Sequence, residues 1–348
     1  MKTRLPRFRP PFLLRGPTFQ TLAGGLLPVL TRGRTVPVER LMVEVEPGER
    51  ILLLRSKASG TPVGRLLLLH GLGGCADSRW LRRMLEMAYA GGWEVVRMNA
   101  RGAGEGIHLS THLPHAGCTM DLAGVLASSP WSPAAASSPL VAVGFSLGGA
   151  VLLRYMGEAG MRTGLDGAVA INPPTDLALC LQQLERPSRR PYQLYFVAAL
   201  RRDQKLRARL YPELHRPPLF RRHRSVRALD EAFVAPDAGY TSADTYYAGC
   251  SAASVLAGIR TPTLILSSGD DPFVPAAMLR RDVLPPGAAE LVLVPRGGHL
   301  GYLHRVEGRW CFWATAAALA AARKLAGLDQ PETADLVTST LSVEEGAS

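Results

Sequence analysis

The chain has 348 residues, 47% of them hydrophobic and 20% charged, which is the composition of a soluble globular protein and excludes a fibrous or disordered chain. No apolar run approaches the ~20 residues of a membrane span; the best candidate, "TLAGGLLPVL", is short and holds a proline. Net charge is +11, from 40 Lys+Arg against 29 Asp+Glu, yet no nucleic-acid motif or interleaved aromatic pattern accompanies it.

Most of the excess is arginine in "RPSRRPYQLYFVAALRRDQKLRARLYPELHRPPLFRRHRSVR". This reads as a solvated basic face, with weak attraction to anionic membrane surfaces as a secondary expectation. Cys75, Cys118, Cys180, Cys250 and Cys311 are odd in number, scattered and without C-x-x-C spacing, which points to reduced thiols and argues against structural zinc. The basic start "MKTRLPRFR" has no small-residue cleavage site behind it. A cytoplasmic location is the expectation.

In chain order, residues 1–37 are rich in Pro, Arg and Gly and read as an arm around the domain. "RLMVEVEPGERILLLRS" predicts a β-hairpin about the turn "EPGE". "RLLLLHG" is a continuous apolar strand of the kind buried on both faces of a parallel sheet. "SRWLRRMLEMAYAGG" gives a helix with Trp80, Leu81, Met84, Leu85 and Ala88 on one face and a glycine stop. Strand "WEVVRMN", helix "TMDLAGVLASS", strand "LVAVGF", helix "LGGAVLLRYMGEA" and strand "GAVAINPP" follow. Such βαβα alternation implies a doubly wound parallel sheet. From 175 to 258 only helical segments broken by prolines are predicted, a helical cap inserted over the strand ends. Strands "TPTLILSS" and "ELVLVP" then resume the pattern, and "RWCFWATAAALAAARKLAG" reads as a closing helix. The core therefore comprises 38–174 and 259–327. Residues 328–348 are polar and predicted disordered.

Within "VAVGFSLGGAVLLRY" a single serine stands between a β-branched strand and a helix-competent run. Gly144 and Gly148 flank Ser146 in the G-x-S-x-G pattern of a nucleophile elbow, which holds a serine oxygen clear of the sheet. A tight βα turn that happens to hold serine would read alike, so the motif counts only with partners. They come in the order Ser, Asp, His: "SSGDDPFVP" sets Asp270 and Asp271 just past one strand, and "RGGHLGYL" sets His299 past the last. Ligands of doubly wound sheets gather at those strand ends. Asp271 is the expected acid, because Pro272 holds the residue before it extended and Asp270, its neighbour on that segment, then points to the other side. Serine needs such a base and orienting acid to become nucleophilic. The backbone N–H groups of Leu147 and of Leu72, in "HGLGG", are the expected oxyanion donors. That glycine run lacks G-x-G-x-x-G spacing, so phosphate binding is disfavoured. "HLSTHLPH" places His108, His112 and His115 close together, but without an acidic or cysteine cluster it reads as a polar loop beside the site. No metal or cofactor is implied.

These residues resemble the AB hydrolase 4 family of the α/β-hydrolase superfamily, in particular its bacterial YheT-like members. The resemblance runs from about Pro11 to Trp313 and is carried by "FLLRGPTFQT", "LLLLHGLGG", "GWEVVRMNARGAGEG", "HAGCTMDL", "VAVGFSLGG", "YYAGCSA", "TPTLILSSGDDPFVP" and "PRGGHLGYL". It implies a serine esterase of short- or medium-chain acyl esters, with Ser146, Asp271 and His299 at the triad positions. Two departures weaken inference about the substrate: Thr18 stands where the family usually has histidine, and "RGAGEG" replaces a loop that often holds cysteine and serine. The expected fold is thus an α/β-hydrolase with a helical cap, acting on a small-molecule ester. An alcohol O-acyltransferase using the same acyl-enzyme, or a non-catalytic binding protein on this fold, are the competing readings.

Overall fold

The computed structural model describes residues 5, 8–27, 35–128, 138–213, 223–306 and 309–328. The predicted tail lies outside the described residues apart from Leu328, as do parts of the N-terminal arm. Eight strands form one sheet in the order β1-β2-β4-β3-β5-β6-β7-β8. β1 (Glu39–Glu46) and β2 (Glu49–Ser56) make the antiparallel hairpin, and β2 runs antiparallel to β4 (Glu94–Met98). From there the sheet is parallel through β3 (Arg65–Leu69), β5 (Leu140–Phe145), β6 (Gly167–Ile171), β7 (Thr263–Ser268) and β8 (Ala289–Val294). The α/β-hydrolase fold expected from the alternation is the fold observed.

The central strands are buried throughout because both faces are covered. Leu66 and Leu68 of β3 pack with the helices Arg79–Ala90 and Trp313–Leu325, through Met84, Leu85, Ala317 and Leu319. Leu67 and Leu69 point the other way, toward Leu122 and Val125 of Thr119–Ala127 and Leu152 and Met156 of Leu147–Ala159. The period-2 alternation of side chains divides one leucine run between two cores. Each fully buried leucine contributes roughly 2 kcal/mol, so this strand anchors both layers.

Between β6 and β7 the described residues carry helices and no strand: Leu177–Leu184, the long Arg190–Leu210, Val226–Leu229, a π-helical turn Asp230–Val234, and Ala243–Cys250. Two features depart from the sequence reading. The arm contains a regular helix, Pro17–Leu26, opened by proline at its first position. The stretch read as the start of the closing helix, Arg309–Phe312, instead forms strand β10, paired with β9 (Leu303–Val306). The Trp313 N–H donates to the Tyr302 carbonyl across the base of that hairpin at 2.9 Å, so the helix begins only at Trp313. No helix among the described residues is long and apolar enough to cross a membrane.

Candidate active site

Ser146 closes β5 and caps the helix Leu147–Ala159, with φ 52° and ψ −121°. A side chain other than glycine in that region is strained and persists only where its surroundings enforce it. The enforcement is close packing. A β-carbon at Gly148 would lie 2.4 Å from the His70 carbonyl, and one at Gly144 would lie 2.5 Å from the Gly148 carbonyl. The turn is tight enough that only glycine fits on either side of the serine. The Ser146 N–H is tied to the Ile171 carbonyl at 2.9 Å, fixing the turn to β6.

His299 follows β8 and presents Nε2 2.9 Å from the Ser146 Oγ. Its Nδ1 lies 2.7 Å from the Asp271 Oδ2. That geometry suits a histidine with its proton on Nδ1, leaving Nε2 free to accept from serine. Asp271, whose side chain is fully buried, is itself held on every side. Its Oδ1 accepts from the N–H groups of Phe273 and Val274 at 3.1 and 2.9 Å, and its Oδ2 also accepts from Asn172 Nδ2 at 2.7 Å. Asp270 Oδ1 instead accepts from the Gly298 N–H at 2.9 Å. Burial raises its carboxyl above the ordinary range. Phe273 closes the histidine from the side, ring centroids 4.1 Å apart.

The loop Gly71–Gly74 lies against the serine: a β-carbon at Gly71 would sit 3.0 Å from that of Ser146. His70 holds this loop, with Nδ1 donating to the Gly71 carbonyl at 2.8 Å and Nε2 accepting from the Ala100 N–H at 3.0 Å. Burial lowers the His70 pKa, keeping the ring neutral in that bridging role. The N–H groups of Leu72 and Leu147 donate to no other backbone group among the described residues. Of the loop histidines, His112 faces Asp237 at 3.2 Å and His115 stacks edge-on against Tyr246. The five cysteines are all free thiols.

Several residues that shape the site escaped the sequence reading. Thr21 Oγ1 accepts from the His299 N–H at 2.9 Å, and Gln20 brackets Leu303 with a pair of hydrogen bonds of 2.7 and 3.1 Å. The arm's "FQT" therefore buttresses the histidine loop. Asn172, at φ 46°, is oriented by the Tyr302 hydroxyl, which donates to its Oδ1 at 2.7 Å. Arg101 of "RGAGEG" forms a buried ion pair with Asp121 of "CTMDL"; breaking a pair of that kind costs about 3–5 kcal/mol. Arginine followed some twenty residues later by aspartate was the available signal, too common in sequences to act upon.

Serine from a strained strand-to-helix turn, with acid and base delivered later in the chain from neighbouring strand ends, defines the α/β-hydrolase class. The alpha/beta hydrolase family model matches residues 66–308, and the chain belongs to that family. It is 31% identical to YheT of Escherichia coli (strain K12) over 242 residues, covering 69% of this chain and 70% of that protein. The YheT-like resemblance read from the motifs is thus upheld. Phospholipase ABHD3 of Mus musculus is 31% identical over 254 residues, 71% of this chain and 60% of its own length. The medium-chain fatty acid ethyl ester synthase/esterase 2 of Saccharomyces cerevisiae is 27% identical over 282 residues, covering 72% of this chain and 60% of that one. The chain thus spans less than two thirds of the length of these last two relatives. Among solved structures, 2,6-dihydroxy-pseudo-oxynicotine hydrolase superposes with a TM-score of 0.53 at 16% identity, covering 92% of this chain and 72% of that one, a likeness of fold.

Proposed function

We propose that this protein is a serine carboxylic ester hydrolase that works through an acyl-enzyme. The observation that carries this reading is the unbroken relay from Ser146 through His299 to Asp271, with distances of 2.9 and 2.7 Å. Ser146 attacks the ester carbonyl while His299 Nε2 takes its proton. Asp271 fixes the tautomer and stabilises the imidazolium without itself being protonated. The N–H groups of Leu72 and Leu147 hold the oxyanion of the tetrahedral intermediate, where preorganised donors contribute most to the rate. His299 returns the proton to the leaving alcohol, then draws one from water to release the acid. We read short- to medium-chain acyl esters as the substrates, residues 175–258 as a cap over the site, and 38–174 with 259–327 as the core.

Two kinds of similarity support this: the names of the ABHD3 phospholipase and the yeast esterase, and the family match over residues 66–308. The yeast relative's name couples ester synthesis with hydrolysis, which favours acyl transfer to an alcohol as the second reading. A fluorophosphonate probe is expected to label Ser146, and Ser146→Ala to abolish both labelling and turnover of p-nitrophenyl esters. Undiminished turnover in that variant ends the serine-hydrolase reading. Adding ethanol and quantifying ethyl ester against free acid separates the two outcomes of the acyl-enzyme.

A further inference from the structure

A cavity of about 90 Å³ lies behind the glycine loop. One wall is Gly71–Gly74 with Leu147 and Gly148; the other is the long helix Arg190–Leu210, through Leu200, Asp203, Gln204 and Arg207. At roughly one water per 15 Å³ of such volume, it has room for about six waters, or a short chain with a polar end.

Its lining includes an arginine that no carboxylate among the described residues meets at ion-pair distance, although Asp237, Asp203 and Glu49 lie near enough to ease its burial. Arg207 is 1% exposed, and among the described residues it forms no ion pair. Its guanidinium donates to the carbonyls of Gly102 and Ser110, at 2.8 and 3.4 Å, and such a group has five N–H donors. Two carboxylates line the same cavity, but each has an arginine of its own: Asp121 has Arg101, and Asp203 has Arg202 at 3.0 Å. Burial also raises the Asp203 carboxyl. His70 and His115 add no charge, since burial lowers both, His115 to about 4. One turn before Arg207, Gln204 is 9% exposed and its Oε1 is buried with no hydrogen-bond partner. Burying a charge without a directly paired counter-charge and an amide oxygen without a hydrogen-bond partner is unfavourable. Both conditions are relieved by one kind of occupant, because Gln204 rotated about its last bond presents its NH₂ group.

We propose that this cavity is a subsite for a substrate group ending in an anion, a carboxylate or a phosphate, held by Arg207 and Gln204. The inference rests on the ester-hydrolase reading, and the wall it shares with the Leu72 and Leu147 oxyanion donors places the anion a few bonds from the ester. Bound there, the anion accepts from Arg207 N–H groups that pair with no carboxylate among the described residues. Arg207 would then select among esters rather than act on the reacting atoms.

Two matched pairs of esters test this and separate the sources of the anion. Mono-p-nitrophenyl glutarate against p-nitrophenyl pentanoate places a carboxylate on the acyl side, and butyryl glycerol phosphate against monobutyryl glycerol places a phosphate on the alcohol side. In the wild-type protein kcat/KM is expected to favour the anionic member of at least one pair. Arg207→Met is expected to reduce that preference about thirtyfold or more, the usual effect of removing one partner of a buried charge pair. Preference for the neutral ester in both pairs overturns the proposal, as does an Arg207→Met ratio equal to wild type. If circular dichroism finds Arg207→Met unfolded, Gln204→Leu replaces it: a preference reduced at least about threefold supports the site, and an unchanged one overturns it. If none of the four esters is turned over, the ester reading fails by itself. Glutarate or glycerol phosphate must then raise the melting temperature of wild type but not of Gln204→Leu, and equal responses overturn the subsite.

Discussion

Replacing Asp271 by asparagine changes one atom, and the structure specifies why that atom matters. The carboxylate accepts four hydrogen bonds: from His299 Nδ1 and Asn172 Nδ2 at 2.7 Å each, and from the N–H groups of Phe273 and Val274 at 3.1 and 2.9 Å. An amide has one accepting end. With its oxygen toward the backbone N–H groups, its NH₂ meets the Asn172 NH₂ and forces His299 to accept at Nδ1, which puts the imidazole proton on Nε2. A protonated Nε2 cannot take the proton from Ser146. With the amide reversed, two backbone donors face an NH₂ group instead. Either way the relay is broken, a defect worth about 10⁴ in turnover in a serine protease built on the same logic, or about 5.5 kcal/mol of transition-state stabilisation. Asp270→Asn keeps an oxygen for the Gly298 N–H and removes a charge whose pKa burial already raises, so its activity should stay within about threefold of wild type. The assay is kcat/KM on p-nitrophenyl butyrate for both variants, with circular dichroism as the check on folding. Equal losses in the two variants, or a larger loss from Asp270→Asn, would refute the assignment of the acid.

Thr21→Val, which leaves the His299 N–H without its acceptor, should lower kcat by about tenfold with little change in KM, and Thr21→Ser should restore it; a change confined to melting temperature would make Thr21 a structural contact only. Asp230, buried beneath the Tyr247 hydroxyl, has its pKa raised to about 7 by burial. The folded state therefore binds a proton that the unfolded state releases near pH 4, and stability from this group falls as pH rises toward 7. Relative to wild type, Asp230→Asn should gain about 3 kcal/mol between pH 5 and pH 8, measured by urea unfolding; a pH-independent difference between the two proteins would exclude the shift. Phe196 packs edge-on against Phe273, ring centroids 5.6 Å apart, whereas Tyr195 is 65% exposed. Phe196→Ala should therefore alter chain-length preference across a p-nitrophenyl ester panel, and Tyr195→Ala should not; the opposite result would mean that Phe196 does not face the acyl group.

The sheet was legible because its central strands are mostly apolar and its turns carry glycine, signals that work at short range. The elbow and the Ser-Asp-His order stand out in the sequence for the same reason, and the choice of Asp271 over Asp270 drew on the "DPFVP" pattern and on the backbone that Pro272 imposes. The supporting contacts were not. Thr21, Gln20, Asn172 and Tyr302 have no local pattern, since each matters through a partner a hundred or more residues away. The inward face of the long helix Arg190–Leu210 was equally hidden, because arginines occur all around it and only Arg207 is wholly buried. The β9–β10 hairpin was misread for a related reason: Trp310, Cys311 and Phe312 favour a strand only when Leu303–Val306 is there to pair with them.

The clamp of Gln20 and Thr21 on the histidine loop joins positions 283 and 278 residues apart. Contacts of that span are the slowest to form, because a long stretch of chain must be ordered before they are rewarded. On a ribosome, Ser146 emerges about 150 residues ahead of the imidazole that would deprotonate it, and that imidazole is seated only once the two ends of the chain have met. On the proposed mechanism, the nucleophile is thus made early and armed last. In a refolding experiment, far-ultraviolet ellipticity should recover before fluorophosphonate reactivity does, and Thr21→Val should widen that interval while leaving the first phase unchanged.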